Sequence, residues 1–299
     1  MRWWRPVADP VPLDTTWLKA HPLPDHHDNV DKNGRGRVLV IGGSRRVPGG
    51  LLLTAEAAFR AGAGKVTIAT IASAALPLGI AFPSCAVVAL PETPEGEIAP
   101  DGADRILSEM ALHDAIVFGP AMIDETIVAT LLAALLSEMP DDKFLLLDAF
   151  ALRAAAEHPQ PIAARHDHVV LTPNEGELAA MLGAERDDVT DDPLASLEKA
   201  AKLFRAAIMV KGATSHLMAD GQCLSYAGGG LGLAVSGSGD ILAGLIASLG
   251  AQGLPPLEAA AWGIWLHGEA GRRLAETMGP IGYLARELLP LVPGLMRGV

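Results

Sequence analysis

Between Asp220 and Glu258 the chain carries one charged side chain, Asp240. It follows two glycine-rich runs, Gly228-Gly229-Gly230-Leu231-Gly232 and Ser236-Gly237-Ser238-Gly239, and precedes the apolar segment Ile241-Leu242-Ala243-Gly244-Leu245-Ile246-Ala247. Glycine and serine ahead of an apolar helix let backbone N–H groups converge on one point. The positive end of the helix dipole joins them in favouring bound phosphate oxygens. A carboxylate at that helix start lies beside the phosphate and can accept a proton from an attacking hydroxyl. An aspartate opening a helix also serves as a plain N-cap, so residue type and spacing leave both roles open. The isolation of the charge among apolar neighbours favours the base.

The elements that must position this segment alternate regularly. Val38-Leu39-Val40-Ile41 is a short apolar run bounded by glycines, as expected of a strand buried on both faces. A helical pattern from Leu51 to Ala61 ends at Gly62, and Val66-Thr67-Ile68-Ala69 reads as the next strand. Ala115–Phe118, Phe144–Leu147, Val169–Leu171 and Ile208–Val210 repeat the strand pattern; helices are expected from about Asp124 to Glu138 and from near Glu175. Ser215–Ala219 reads as a returning hairpin strand, and the chain after Asp240 as mostly helical. Strands alternating with helices predict a parallel sheet covered on both faces. Residues 1–33, rich in Pro, Asp and His, are expected to form an N-terminal arm on the surface or on a neighbouring subunit. Residues 34–299 are expected to form a single domain.

Composition narrows the function. A net charge of −12 disfavours nucleic-acid binding, which needs clustered Lys and Arg. It leaves an anionic small ligand possible, because such a ligand responds to one pocket's field. Cys85 and Cys223 lack a Cys-x-x-Cys or His pattern and read as free thiols of a cytoplasmic protein. The apolar stretches around Val128–Leu136 and Ile241–Leu249 are too short to span a membrane. Met1-Arg2-Trp3-Trp4-Arg5-Pro6 lacks the features of a secretory signal. His26-His27 and His166-Asp167-His168 read as loop histidines, His267 as a packed histidine, and Arg272-Arg273 as a helix face.

Gly237-Ser238-Gly239-Asp240-Ile241-Leu242-Ala243-Gly244 resembles the anion-hole and catalytic-base signature of ribokinase-like enzymes, and among these the ADP/ATP-dependent NAD(P)H-hydrate dehydratases. Collinear matches are Val38–Ser44 with Gly49-Gly50, Ala57–Gly64, Phe118-Gly119-Pro120, Leu147-Asp148-Ala149, Leu171-Thr172-Pro173 with Gly176-Glu177, Lys211-Gly212-Ala213-Thr214 and Trp265–Gly271. The likeness covers about Gly34 to Ala275. It implies a ribokinase-like three-layer α/β/α sandwich with a mostly parallel central sheet. Four departures stand out: Asn174-Glu175-Gly176-Glu177 in place of His-Pro-Gly-Glu, Ala121 for a glycine, Phe150 for an acidic residue, and Ser236 for a glycine. The first spells the Asn-x-x-Glu pattern that kinases of the superfamily use near magnesium and phosphate.

Carried over by position, the resemblance makes Asp240 the base, with Gly237, Ser238 and Gly239 forming the anion hole. Lys211, Gly212, Ala213, Thr214 and Ser215 line an ADP or ATP site, with Lys211 neutralising phosphate. Gly50, Gly119, Asn174 and Asp240 face the substrate, and Glu177 orders Mg2+ through water. Read without the family, Lys211 is an exposed strand-end lysine, Gly50 and Gly119 are turn glycines, Asn174 an Asx-turn, and Glu177 a solvated helix-start glutamate; Asp148 either faces the site or caps a turn. The implied reaction is ADP- (or ATP-) dependent dehydration of the (S)-epimer of hydrated NADH or NADPH. A separate NAD(P)H-hydrate epimerase acts in the same pathway, since too little sequence precedes Arg37 for another domain, and a homo-oligomer is expected. The rival readings are a ribokinase-like small-molecule kinase, favoured by Asn174-Glu175-Gly176-Glu177, and a nucleotide sensor without turnover.

Overall fold

Aliphatic runs separated by glycine, proline and aspartate form the strands of one sheet. In this computed structural model, residues 9–25 and 31–299 are described; Met1–Pro6 and His26-His27 lie outside them. The strands are β1 (Val11–Pro12), β2 (Arg37–Ile41), β3 (Lys65–Ile71), β4 (Ala86–Leu90), β5 (Ala115–Phe118), β6 (Phe144–Leu147), β7 (Val169–Leu171), β8 (Ala207–Val210), β9 (Thr214–Ala219) and β10 (Gln222–Ala227). Their order across the sheet is β1-β10-β9-β8-β7-β6-β5-β2-β3-β4. Only β9 runs against the rest, pairing antiparallel with β8 and β10. The central strands β2, β5, β6, β7 and β8 are buried almost throughout, which explains why they read as unbroken apolar runs.

The helices are α1 (Thr15–Ala20), α2 (Gly50–Arg60), α3 (Ala72–Ala81), α4 (Ala103–Met110), α5 (Glu125–Glu138), α6 (Phe150–Ala155), α7 (Pro159–Ala163), α8 (Glu175–Leu182), α9 (Arg186–Asp191), α10 (Pro193–Phe204), α11 (Ser238–Ala251), α12 (Pro256–Thr277) and α13 (Val292–Arg297). Helices α2, α11 and α12 pack together on one face of the sheet; α4, α5, α6, α8 and α10 form the opposite layer. The result is the expected three-layer α/β/α sandwich. No helix among the described residues is long and apolar enough to cross a membrane.

The leading segment was expected to form an arm on the surface or on a neighbouring subunit. Its described part lies against its own domain: β1 pairs with β10, and the Leu13 amide donates to the Ser225 carbonyl at 2.8 Å. Leu13, Trp17 and Leu18 are buried, and the Trp262 indole donates to the His21 carbonyl. The apolar residues in this segment are too few to show a period, yet they cover an apolar area that would otherwise face water.

The crossing of α2 and α11 places the principal acid. Gly244 lies one turn after Asp240, and Thr54 one turn after Gly50, so each pair shares a helix face. A Cβ at Gly244 would overlap the Thr54 carbonyl oxygen and crowd the Ala57 methyl. Glycine therefore lets the two backbones touch, and that contact brings Asp240 to Gly50. Gly244→Ala is expected to destabilise the protein by about 1–3 kcal/mol through overpacking, read as a lower urea midpoint with an unchanged slope.

Candidate active site

Several candidate residues stand immediately beyond the carboxyl ends of parallel strands: Gly119 after β5, Asp148 after β6, Thr172 to Asn174 after β7, and Lys211 after β8. Open α/β sheets bind ligands at this edge. Helix α11 begins there. Its N-cap is Gly237 at φ +88°, a left-handed conformation that suits glycine. Asp240 is the third residue of the helix, not its cap, and α11 has no side-chain cap. The simple capping role is thereby excluded.

A cavity of about 810 Å³ opens beside this helix start. Its lining mixes polar groups, Lys211, Ser238 and His267 among them, with the apolar side chains of Met209, Leu242 and Ile264 and the ring of Tyr226. Gly212, Ala213 and Ser215 also line it, whereas Thr214 begins strand β9 and is not part of the wall. Asp240 lies just behind the wall, on the side of Gly50: a Cβ at Gly50 would stand 3.1 Å from Asp240 Oδ2. Gly50 also adjoins the Ala121 methyl, at 3.5 Å from the same Cβ position.

Burial raises the proton affinity of Asp240, the nearby Asp148 charge adds to it and Lys211 opposes it, which leaves its pKa at about 7. Asp148 is buried and accepts from Thr172 Oγ1 at 2.7 Å and from Lys211 Nζ at 3.0 Å. Lys211 also approaches Glu177 Oε2 at 4.0 Å, and its side chain is only 24% exposed. It is not the exposed strand-end lysine of the plain reading. Although burial works against its charge, Asp148 and Glu177 hold its pKa above the ordinary lysine value.

The amides of the helix start are not equivalent. Ser238 N–H donates to the Val235 carbonyl at 3.2 Å, which competes with its implied place in an anion hole. The next N–H groups, of Gly239 and Asp240, belong to the first turn, where a helix offers no internal acceptor. Gly239 leaves space beside it: a Cβ there would be 3.7 Å from both Lys211 Nζ and Asp148 Oδ2. An anion at this point meets amides, a helix N-terminus and an ammonium group together.

Asn174 caps α8. Its Oδ1 accepts from the Glu177 amide at 2.9 Å, and Glu177 Oε2 accepts from the Asn174 amide at 2.8 Å. The Asn-x-x-Glu spacing is thus a capping box, although Asn174 also reaches the cavity wall. Glu177 is not a solvated helix-start residue: burial raises its pKa, with Lys211 opposing. Gly119 is required by packing, because its φ is +114° and a Cβ would overlap the Asp148 carbonyl oxygen. Among the described residues no group of three or more His, Cys, Asp and Glu side chains is arranged to hold a metal ion.

Two cavity residues escaped the sequence reading. His267, read as packed, shares a 2.8 Å hydrogen bond with Ser238 Oγ, and burial followed by the Lys211 charge pushes its pKa down to about 4. It is neutral near pH 7. The Tyr226 ring occupies space that Gly228 and Gly268 leave free; a Cβ at Gly228 would lie 2.5 Å from its hydroxyl oxygen, and one at Gly268 would overlap the ring. The signals were the Trp265–Gly271 motif and the glycines themselves, but a histidine in an apolar helix looks the same whether packed or facing a site.

The departures from the family pattern have local explanations. Ser236 is exposed, so its side chain points to water. Phe150 starts α6 beneath the Arg153 guanidinium, 5.7 Å from the ring centre. Ala121 holds φ +59°, the left-handed region where glycine is free of Cβ strain. Ala121→Gly should raise stability by about 0.5–1 kcal/mol, the strain relieved less the extra entropy of glycine. A thermal melt that falls would show that the Ala121 methyl packs favourably enough to outweigh the strain.

A doubly wound sheet, a half-buried acid at a glycine-started helix and an adjoining cavity with one lysine define a ribokinase-like α/β enzyme. The chain matches the family described as NAD(P)H-hydrate dehydratase over residues 38–293, and it belongs to that family. It is 42% identical to the ADP-dependent (S)-NAD(P)H-hydrate dehydratase of Xanthomonas campestris pv. campestris, across 93% of each chain. It is 35% identical over 96% of its length to the bifunctional NAD(P)H-hydrate repair enzyme of Moorella thermoacetica, spanning 54% of that longer protein. The fold superposes on an ADP/ATP-dependent NAD(P)H-hydrate dehydratase of Bacillus subtilis co-crystallised with ATP/Mg2+, with a TM-score of 0.79 at 24% identity, covering 97% of this chain and 99% of the other.

Proposed function

We propose that this protein restores NADH and NADPH from the (S)-epimers of their hydrates, using ADP or ATP. The observation that carries the reading is the full-length likeness to the Xanthomonas dehydratase. The acid beside the helix N-terminus supplies the chemistry. The ring hydroxyl oxygen attacks the terminal phosphorus of the nucleotide while Asp240 takes the hydroxyl proton. The bond from phosphorus to the nucleotide breaks, giving AMP from ADP or ADP from ATP. The carbon–oxygen bond to phosphate then breaks with loss of a ring proton, releasing inorganic phosphate and the dihydropyridine.

The cavity divides the work. The apolar lining residues Tyr226, Met209 and Ile264 suit a purine, and Lys211 with the open space beside Gly239 suits its phosphates. Stabilisation of charge on the transferring phosphoryl group by the helix-start amides and Lys211 is the main electrostatic contribution. Family position assigns Gly50 and Asn174 to the hydrated nicotinamide nucleotide; Gly50 lies beside the base, while Asn174 lines the nucleotide cavity. Glu177 fits a magnesium ion held through water, because this ion is bound by few carboxylates and mainly by substrate phosphates; when bound it neutralises nucleotide charge. The full-length likeness to a dehydratase argues against a kinase that releases a phosphorylated product, and the poised acid argues against a sensor.

The test is incubation of NADH hydrate with ADP or ATP and Mg2+, following recovery of dihydronicotinamide absorbance. Recovery is expected; a stable phosphorylated product indicates the kinase, and nucleotide binding without turnover indicates the sensor. We place the protein in the cytoplasm, where its coenzyme substrates and two buried free thiols belong. There it works together with an epimerase activity that interconverts the hydrate epimers, and it assembles with further copies of itself.

A further inference from the structure

We propose that Asp148 is a positioning residue for the reaction: it anchors the Lys211 ammonium at the cavity wall, so that the cation meets the nucleotide's phosphates instead of pairing with Asp240. The geometry is specific. Asp148 is buried at the end of β6, and Oδ1 accepts from both Thr172 and Lys211, at 2.7 and 3.0 Å. Glu177 stands on the other side of the ammonium at 4.0 Å. Three carboxylates therefore share one lysine, and the two that approach it closely are Asp148 and Glu177. An ammonium has three donors; with one on Asp148 it still has donors for phosphate oxygens at the space beside Gly239.

The arrangement acts on Asp240 in two ways with the same sign. The Asp148 charge repels a second negative charge nearby, and the anchor keeps Lys211 from neutralising it. Both effects make Asp240 a better proton acceptor. Among the described residues Asp240 takes part in no ion pair: Gly50 of α2 lies beside it with Ala121 next to Gly50, and His267 of α12 bonds Ser238. On α8, Glu177 faces Lys211, and Glu175 pairs with Arg186 at 3.7 Å.

The inference rests on Asp240 as the base, and its principal test needs no substrate. The carboxyl carbon of Asp240 is followed by 13C NMR in aspartate-labelled protein, its signal assigned by loss in Asp240→Asn. The wild-type midpoint is expected near about 7, and in Asp148→Asn it should fall by about one pH unit. Thr172→Val, which removes a hydroxyl that holds Asp148, should move the midpoint the same way by less and serves if the first variant does not fold. In turnover, Asp148→Asn should shift the acid limb of kcat/KM down in step and raise the nucleotide KM about tenfold, as expected for a misplaced charge contact. An unchanged or raised Asp240 midpoint in the folded variants overturns the proposal. Absence of hydrate turnover in the wild type instead overturns the substrate assignment and leaves the titration standing.

Discussion

Asp240→Asn is expected to lower kcat by about 100- to 10,000-fold, the usual contribution of a general base, while making the folded protein more stable. The two effects have one cause. Burial, then Asp148, raises the pKa of Asp240 to about 7. Between the ordinary carboxylate range and that value the folded protein binds a proton that the unfolded chain has lost. Stability therefore falls as pH rises from about 4 through about 7, because the native state must give up this proton. Asparagine removes the cost, and above pH 7 the variant should gain on the order of 1–3 kcal/mol. Chemical denaturation at pH 5 and pH 8 measures the effect: the gain should be larger at pH 8. Wild-type kcat/KM should decline below about pH 7 as the base becomes protonated. A variant that keeps near-normal turnover removes Asp240 from its role.

Lys211→Met should have the next largest effect. The catalytic loss is expected at about 100- to 1,000-fold in kcat/KM for the nucleotide, comparable with removing one strong donor to a transition-state anion. The fold should suffer as well, because Asp148 and Glu177 lose the cation between them. A fully buried broken pair costs several kcal/mol; with Lys211 24% exposed, solvent reduces this to about 1–3 kcal/mol. Lys211→Arg should recover stability better than activity, since a planar guanidinium cannot take the place of a compact ammonium. Isothermal titration with ADP separates lost binding from lost chemistry.

These two variants should move stability in opposite directions, which reflects the charge balance of the site. Asp148, Glu177 and Asp240 stand near one lysine. Removing a carboxylate relieves repulsion, whereas removing the lysine exposes it. An active site of this kind gives up stability for a reactive arrangement.

The parallel sheet was readable because its central strands are buried on both faces and so appear as unbroken aliphatic runs. Asp240 was readable for a related reason: no other charge occurs within the stretch that packs as α11. The edges of the sheet were harder. Strand β10 contains Gln222, Ser225 and Tyr226 and shows little apolar contrast, although Asp220-Gly221, both at positive φ, form the tight turn that returns the chain. Strand β4 is half exposed and lies beside an apolar helix, so neither shows a clear period.

Local pattern and chain order thus carried the layer architecture, the glycine-started helix and its lone acid, because burial on a repeating element leaves a periodic mark in the residues themselves. Folding in three dimensions decided that Lys211 answers to Asp148, that His267 meets Ser238, that Gly244 seats α11 against α2, and that Asn174 and Glu177 secure each other. Three of these contacts join residues 29 to 190 positions apart, set by where strand ends and helix crossings converge; the fourth is local, yet its spacing suits a metal site as well as a cap. A pairwise meeting of that kind has no signature in either neighbourhood alone, since each side chain reads equally well as solvated or packed until its partner is placed.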